Sequence, residues 1–241
     1  MAMKSPSDIA EAVRRDGAAS WRGFLNRGAT AEVTRSANEL ATGAHANQFP
    51  KSTRVWDLYR HGDPFLDIVE DQRLRTLLDL LLGEHHLLSD YSLNVVHPEQ
   101  PVDDWHIDYP YNEMPHLVTG AILGLQCVLA IDPFDPHNGA TQYVPGTHLL
   151  PCPPCDTDQR TRCIFKAEPG DLLVMAAATW HRSGRNRATA PRSAVLLSFV
   201  ERWIRPMTGP PEPGPWGRTQ SLRRLLGMER PPETINGVPI T

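Results

Sequence analysis

Two hydrophobic rhythms divide the chain. Up to about residue 90 the apolar positions fall at helical spacing, and from Tyr91 to Arg205 they come as short β-type runs cut by proline and glycine. In the first part, Ile9 to Arg15 reads as a helix that Ser7 or Asp8 can cap and Gly17 can stop. Ala31 to Leu40 reads as a second, capped by Thr30 and stopped by Gly43, with a short strand over Ala18–Phe24 between them. Residues 44–62 are polar and predict an irregular loop. Over Asp71–Leu82, Leu74, Leu77, Leu78, Leu81 and Leu82 share one helical face before Gly83, so this helix is expected to pack on a sheet.

The second part predicts strands over 91–96, 105–109, 117–131, 141–144, 162–168, 171–177 and 191–204. Short strands with the helices mostly upstream point to a mainly β fold with flanking α-helices, a jelly roll rather than a doubly wound sheet. Beyond Arg205, prolines 206, 210, 211, 213 and 215 crowd together ahead of a short helix candidate, Ser221–Leu226. The chain therefore reads as one domain over 1–205 followed by a Pro-rich segment, 206–241, that is a tail or a lid arm.

Composition narrows the function. The 241 residues are 40% apolar, enough for a sizeable core, and 24 basic against 28 acidic residues give a net charge of −4 with no basic block, which argues against nucleic acid. The N-terminal residues lack an apolar signal core and no run approaches the roughly 20 apolar residues that span a bilayer, so a cytoplasmic protein with no membrane partner is expected. Cys127, Cys152, Cys155 and Cys163 are expected to be reduced thiols.

The chemistry centres on Trp105-His106-Ile107-Asp108-Tyr109. In an extended segment His106 and Asp108 project from one face, an imidazole beside a carboxylate, and two histidines with one carboxylate are the open ligand set of non-haem Fe(II) oxygenases. Ten histidines make a lone H-x-D a weak signal. The partner chosen is His181, which follows the Pro169-Gly170-Asp171 turn and the apolar run Leu172–Ala177; the plain alternative is a core histidine bonded to a carbonyl. Arg192 then opens the apolar run Arg192–Phe199. A guanidinium there is costly to bury unless it meets an anion, and its fork suits a carboxylate; the competing reading is an edge arginine in water.

Taken together, the motifs resemble the phytanoyl-CoA dioxygenase family of Fe(II)/2-oxoglutarate-dependent oxygenases from about Asp8 to Arg205. The resemblance rests on Asp16-Gly17, Leu82-Gly83, Ser92-Leu93-Asn94-Val95-Val96-His97-Pro98 leading into Trp105–Asp108, Asn138-Gly139-Ala140-Thr141, Val144-Pro145-Gly146-Thr147-His148, Gly170-Asp171-Leu172, Trp180-His181 and Pro191-Arg192. It implies a double-stranded β-helix (cupin-like), Fe(II) held by His106, Asp108 and His181, and 2-oxoglutarate whose distal carboxylate meets Arg192, with Ser183, Thr141 and Asn94 as further cosubstrate contacts. Dioxygen would be the co-reactant, succinate and carbon dioxide the co-products, and a small metabolite the substrate. The carboxylate of Asp108 sets the chain apart from related halogenases, and Glu99 departs from the glycine usual after the proline.

Tyr109, Tyr111, Asn112 and Trp180 are candidate substrate contacts, with core packing as the bland reading of each, and 44–62, with His45, Asn47, Gln48, Arg54 and Arg60, is a candidate lid. A separate zinc site on His148, Cys152, Cys155 and Cys163 is disfavoured because two prolines sit inside its C-x-x-C and no second pair follows. Hydroxylation is the expected outcome; desaturation, epoxidation or ring formation would use the same residues. A non-catalytic cupin-like binder and a zinc hydrolase or isomerase with a metal-bound water are the rivals.

Overall fold

In the computed structural model, residues 4–99, 104–154, 160–229, 234–235 and 238–239 are described. Helix α1 (Pro6–Asp16) begins earlier than expected, because Ser5 is the cap: its hydroxyl accepts from the Asp8 amide at 3.2 Å and the Asp8 carboxylate accepts from the Ser5 amide at 2.8 Å. Strand β1 (Ala18–Trp21) follows. Helix α2 (Arg27–Thr42) is capped by Asn26, not Thr30, whose hydroxyl instead donates to the Asn26 carbonyl inside the first turn.

The expected loop over 44–62 is instead a small hairpin, β2 (Asn47–Gln48) and β3 (Ser52–Val55), added to the edge of the main sheet. Its strands are short and their outward positions polar, so the alternation was too brief to register. Helix α3 (Asp63–Glu70), not foreseen, carries Pro64 in its first turn and buries Phe65, Leu66, Ile68 and Val69. Helix α4 (Gln72–Leu82) matches the leucine pattern, is capped by Asp71 and buries all five leucines.

The strands that follow are β4 (Leu87–Val96), β5 (Gly124–Ala130), β6 (Thr141–Tyr143), β7 (Cys163–Ile164), β8 (Leu172–Ala176), β9 (His181–Ser183) and β10 (Arg192–Val200). They form a seven-stranded sheet, β1-β8-β5-β10-β4-β3-β2, and a three-stranded one, β7-β6-β9, antiparallel throughout. This is the double-stranded β-helix expected. Several predicted strands are cut back: 105–109 contributes a single bridge, His106 to His181, 117–123 carries no strand, 162–168 keeps Cys163–Ile164, and 191–204 ends at Val200. The Asp108 amide donates to the Ala177 carbonyl instead of continuing a ladder, and the turn at 111–113 bends the chain away.

Strand alternation sorts the large sheet into two faces. Tyr91, Leu93, Val95, Leu125, Cys127, Leu129, Val195, Leu197 and Phe199 join the helix leucines in one core, where each buried side chain contributes about 1.5–3 kcal/mol. The opposite face carries Asp90, Asn94, Gln126, Arg192 and Ser198 and looks toward the small sheet. Beyond β10, helix α5 (Gln220–Leu225) places Leu222 and Leu225 in the helix-side core, and Arg218 bonds Asp63, Asp67 and Glu70 along α3. A last two-stranded ribbon pairs β11 (Thr234–Ile235) with β12 (Val238–Pro239).

Gly17 is fixed by geometry. Its φ of 79° is left-handed, and a Cβ there would meet His148 Nδ1 at 2.5 Å and Thr179 Oγ1 at 2.6 Å. Gly17→Ala is therefore expected to cost about 2 kcal/mol or more, lowering Tm by about 4 °C or more in a thermal melt; an unchanged Tm would contradict the close packing.

Candidate active site

A cavity of about 430 Å³ opens between the polar face of the large sheet and the segment carrying His106 and Asp108. One ligand atom from each of His106, Asp108 and His181 lies within 4.8 Å of the others, the one such cluster of metal-binding side chains among the described residues. His181 Nε2 is 3.2 Å from Asp108 Oδ2, and His106 Nε2 is 3.9 Å from Asp108 Oδ1. Two donors about 2.1 Å from one ion at a right angle are about 3 Å apart, so the spacing suits a shared cation.

The imidazoles are oriented for that task. His106 Nδ1 lies 2.9 Å from the Asp104 carbonyl and His181 Nδ1 2.9 Å from the Thr179 carbonyl. A carbonyl can only accept, so each Nδ1 carries a proton, and in its neutral form each imidazole presents the Nε2 lone pair to the cavity. Asp108 Oδ2 is buried and receives no hydrogen bond, an expensive arrangement unless a cation satisfies it. Burial pulls the His181 pKa down, but the Asp108 charge and the Thr179 carbonyl outweigh it and hold the imidazole above its usual value. Burial likewise pushes the Asp108 carboxyl up, and the charge of His181, then of His106 and Arg54, brings it below the usual range. The donor set thus fits a divalent cation that accepts nitrogen and oxygen, such as Fe(II).

Residues with no chemistry of their own hold His181 in place. The Gly17 carbonyl accepts from Thr179 Oγ1 at 2.8 Å and from the Ala176 amide at 2.9 Å. The Val144–His148 turn closes on the same point: the Gly146 amide donates to the Asp16 carbonyl, and Thr147 Oγ1 accepts from the Trp180 amide at 3.0 Å. Two motifs far apart in sequence therefore clamp the short turn that delivers His181.

At the cavity's other end Arg192 is 2% exposed, its guanidinium stacked 4.1 Å over the Phe134 ring. This excludes the edge arginine in water. Thr141 and Ser183 face each other across β6 and β9, and both line the cavity with Asn94, whose Oδ1 is buried without a hydrogen-bond partner. The loop from His181 to Arg192 is pinned by Asn186, whose side chain donates to the Val96 and Ala190 carbonyls. Glu99 adopts φ 59°, in the left-handed region that favours glycine, and its amide donates to the Asn186 carbonyl at 2.7 Å.

Of the four candidate substrate contacts, Tyr109 and Asn112 line the cavity and the other two do not. Tyr111 is core: its hydroxyl donates to the Ala121 carbonyl and accepts from the Leu123 amide. Trp180 is buried in the same apolar cluster, facing away from the cavity that His181 enters. From 44–62 only Lys51, Ser52 and Arg54 reach the cavity, while His45 packs against His61. Asp90, Gln126, Ser198 and Met207 also line it and were not anticipated. Among the proposed zinc ligands, Cys155 lies outside the described residues and His148 Nε2 is engaged by the Arg14 carbonyl. Cys127 is buried among apolar neighbours, which pushes its thiol up to about 12 and leaves it unreactive.

Residues 13–194 match the family described as phytanoyl-CoA dioxygenase (PhyH), three quarters of the chain. The chain belongs to that family. Membership makes the protein a dioxygenase-type enzyme, as the sequence motifs implied. Dioxygenase cdmA of Talaromyces verruculosus is 25% identical over 233 residues, spanning 84% of this chain and 75% of the relative. Among solved structures, the epimerase SnoN in complex with Fe3+, alpha ketoglutarate and nogalamycin RO superposes with a TM-score of 0.71 at 21% identity, over 98% of this chain and 95% of that one. The alpha ketoglutarate dependent carbocyclase SnoK from nogalamycin biosynthesis gives 0.68 at 14%, over 83% and 87%. These likenesses establish the shared fold. No helix among the described residues is long and apolar enough to cross a membrane.

Proposed function

We propose that the protein is an Fe(II)- and 2-oxoglutarate-dependent dioxygenase that hydroxylates an unactivated carbon of a small metabolite in a biosynthetic pathway. The observation that carries this reading is a His-Asp-His cluster and a buried arginine in one cavity. A water-activating zinc site has no use for a dicarboxylate clamp.

His106, Asp108 and His181 would hold the metal through two imidazoles and one carboxylate. Bound there with 2-oxoglutarate and dioxygen, Fe(II) would supply oxidative decarboxylation to succinate and carbon dioxide and the oxidising power to take hydrogen from carbon. Arg192 fixes the distal carboxylate of the cosubstrate; Ser183, Thr141 and Asn94 offer hydrogen bonds to it. Tyr109 and Asn112 stand at the substrate side. Of the Pro-rich segment after Arg205, Met207 lines the cavity, and its amide donates to Ser89 Oγ at 3.0 Å. No protein acid or base is required beyond these groups.

Epimerase and carbocyclase neighbours favour a second reading of the same site, in which the substrate radical loses or receives hydrogen or closes a ring instead of gaining a hydroxyl. Incubating purified protein with Fe(II), 2-oxoglutarate and air across a panel of small metabolites is expected to give succinate release that depends on both iron and the metabolite. Activity that follows zinc and ignores 2-oxoglutarate would overturn the assignment. So would binding of a metabolite with no succinate from any member of the panel.

A further inference from the structure

The cavity-facing side of the large sheet changes character along its length. Arg192 sits opposite Val96 at one end; six residues along β10, Ser198 lies in one cross-strand row between Asp90 on β4 and Gln126 on β5. At about 3.3 Å per residue the two ends are about 20 Å apart, and on β10 and β5 the two rows between them are apolar, Ala194 beside Ala130 and Leu196 beside Val128, with Asn94 and Ser92 facing them from β4. The metal cluster lies between the ends. Ser183 and Thr141 face the Arg192 side, where Asn186 bonds the Val96 carbonyl. Asp108 belongs nearer the other side: its amide bonds the Ala177 carbonyl, and the Ala177 amide bonds the carbonyl of Gly124, two residues before Gln126. A cosubstrate stretched from Arg192 to the metal therefore leaves the Asp90–Ser198–Gln126 end for the other reactant.

Asp90 is an unusual residue to find there. Among the described residues its carboxylate receives one side-chain hydrogen bond, from Ser92 Oγ at 2.9 Å, and makes no ion pair. Burial pushes its pKa up; the Ser92 hydroxyl, the charge of Arg54 on the neighbouring strand β3 and the Tyr91 amide offset this in part, and the charge of Asp57 adds to it. A strand position inside a barrel ordinarily carries an apolar side chain; Asp90 instead turns a carboxylate into the cavity and, beside Asp108, is the one other carboxylate among the described residues that line it. A ligand ammonium restores what burial removes, since charge-assisted hydrogen bonds are roughly twice as strong as neutral ones. The oxygens of Ser198 and Gln126, in the same row, can take its remaining N–H groups.

We propose that Asp90, with Ser198 and Gln126 beside it in the same cross-strand row, is the specificity-determining residue for the prime substrate and binds a basic nitrogen, so that the substrates are small amine-bearing metabolites. This rests on the assignment of the metal and cosubstrate sites above.

The test uses full-length protein loaded anaerobically with Fe(II) and 2-oxoglutarate, whose visible charge-transfer band reports both cosubstrate binding and the arrival of a molecule beside it. Amine and alcohol pairs on one carbon skeleton, such as cyclohexylamine and cyclohexanol, are titrated against wild type and the isosteric Asp90→Asn. In wild type the amine of at least one pair is expected to bind about tenfold or more tighter than its alcohol, and the preference should vanish in D90N while 2-oxoglutarate still produces the band. That retained band shows the variant is folded and loaded. Indifference of the wild type to every pair, or a preference that survives in D90N, overturns the proposal. Failure of the wild type to develop the band strikes at the metal and cosubstrate assignment instead.

Discussion

His106→Ala is expected to lower metal affinity and iron-dependent succinate release by at least about 100-fold while leaving the fold intact. Removing even a hydrogen-bonded partner of a metal ligand typically costs 10–100-fold, and here a ligand itself is lost, leaving one imidazole and one carboxylate. His106 is the cleaner choice of the two histidines because its side chain is 45% exposed, against 9% for His181. Its backbone bridge to His181 survives the substitution, since both hydrogen bonds use main-chain atoms. Tm is therefore expected to move by no more than about 2 °C. Metal content after dialysis, succinate yield and a thermal melt on the same preparation decide the matter. Retained turnover at wild-type metal content would remove His106 from the site.

The sequence was informative where one side chain's direction followed from its neighbours'. Five leucines on one face gave α4. Alternation put His106 and Asp108 on one side, and the same rule had more to offer than was taken from it. Trp180, adjacent to His181, must face the other way if the imidazole enters the cavity, and it does. Asp90 lies four residues before Asn94 on one strand, so the two share a face, and reading Asn94 as a pocket residue should have brought Asp90 with it.

What was illegible depended on tertiary partners. Nothing local says that the Tyr111 hydroxyl is consumed by the backbone around residues 121–123, ten residues downstream. The hairpin at 47–55 is a strand pair only because β4 offers it an edge, and α3 was hidden by the polar residues on its outer face that Arg218 later meets. The Asp16-Gly17 and Val144–His148 motifs were legible as a pattern but not as a mechanism. Their shared role, clamping the turn before His181, appears only when residues more than 120 positions apart are seen in contact.

Arg192→Ala is expected to raise the Kd for 2-oxoglutarate by about 100-fold or more. A buried, desolvated ion pair broken by removing one partner typically loses 3–5 kcal/mol, because the remaining charge is stranded away from water; here the stranded group is the distal carboxylate of the ligand. Arg192→Lys keeps the charge but not the planar fork, so its loss should fall between wild type and alanine. A bare loss of affinity is also what a damaged pocket would give, since Arg192 stacks on Phe134 and its removal leaves a hole. A 2-oxo acid without the second carboxylate, such as 2-oxobutyrate, separates the two explanations. Wild type should strongly prefer 2-oxoglutarate over it, whereas in R192A the two acids should bind with similar affinity, each through its 2-oxo acid end alone. If R192A keeps the wild-type preference, the guanidinium is a structural cation and the distal carboxylate is held elsewhere, with Lys51 and Arg182, which also line the cavity, as the next residues to test.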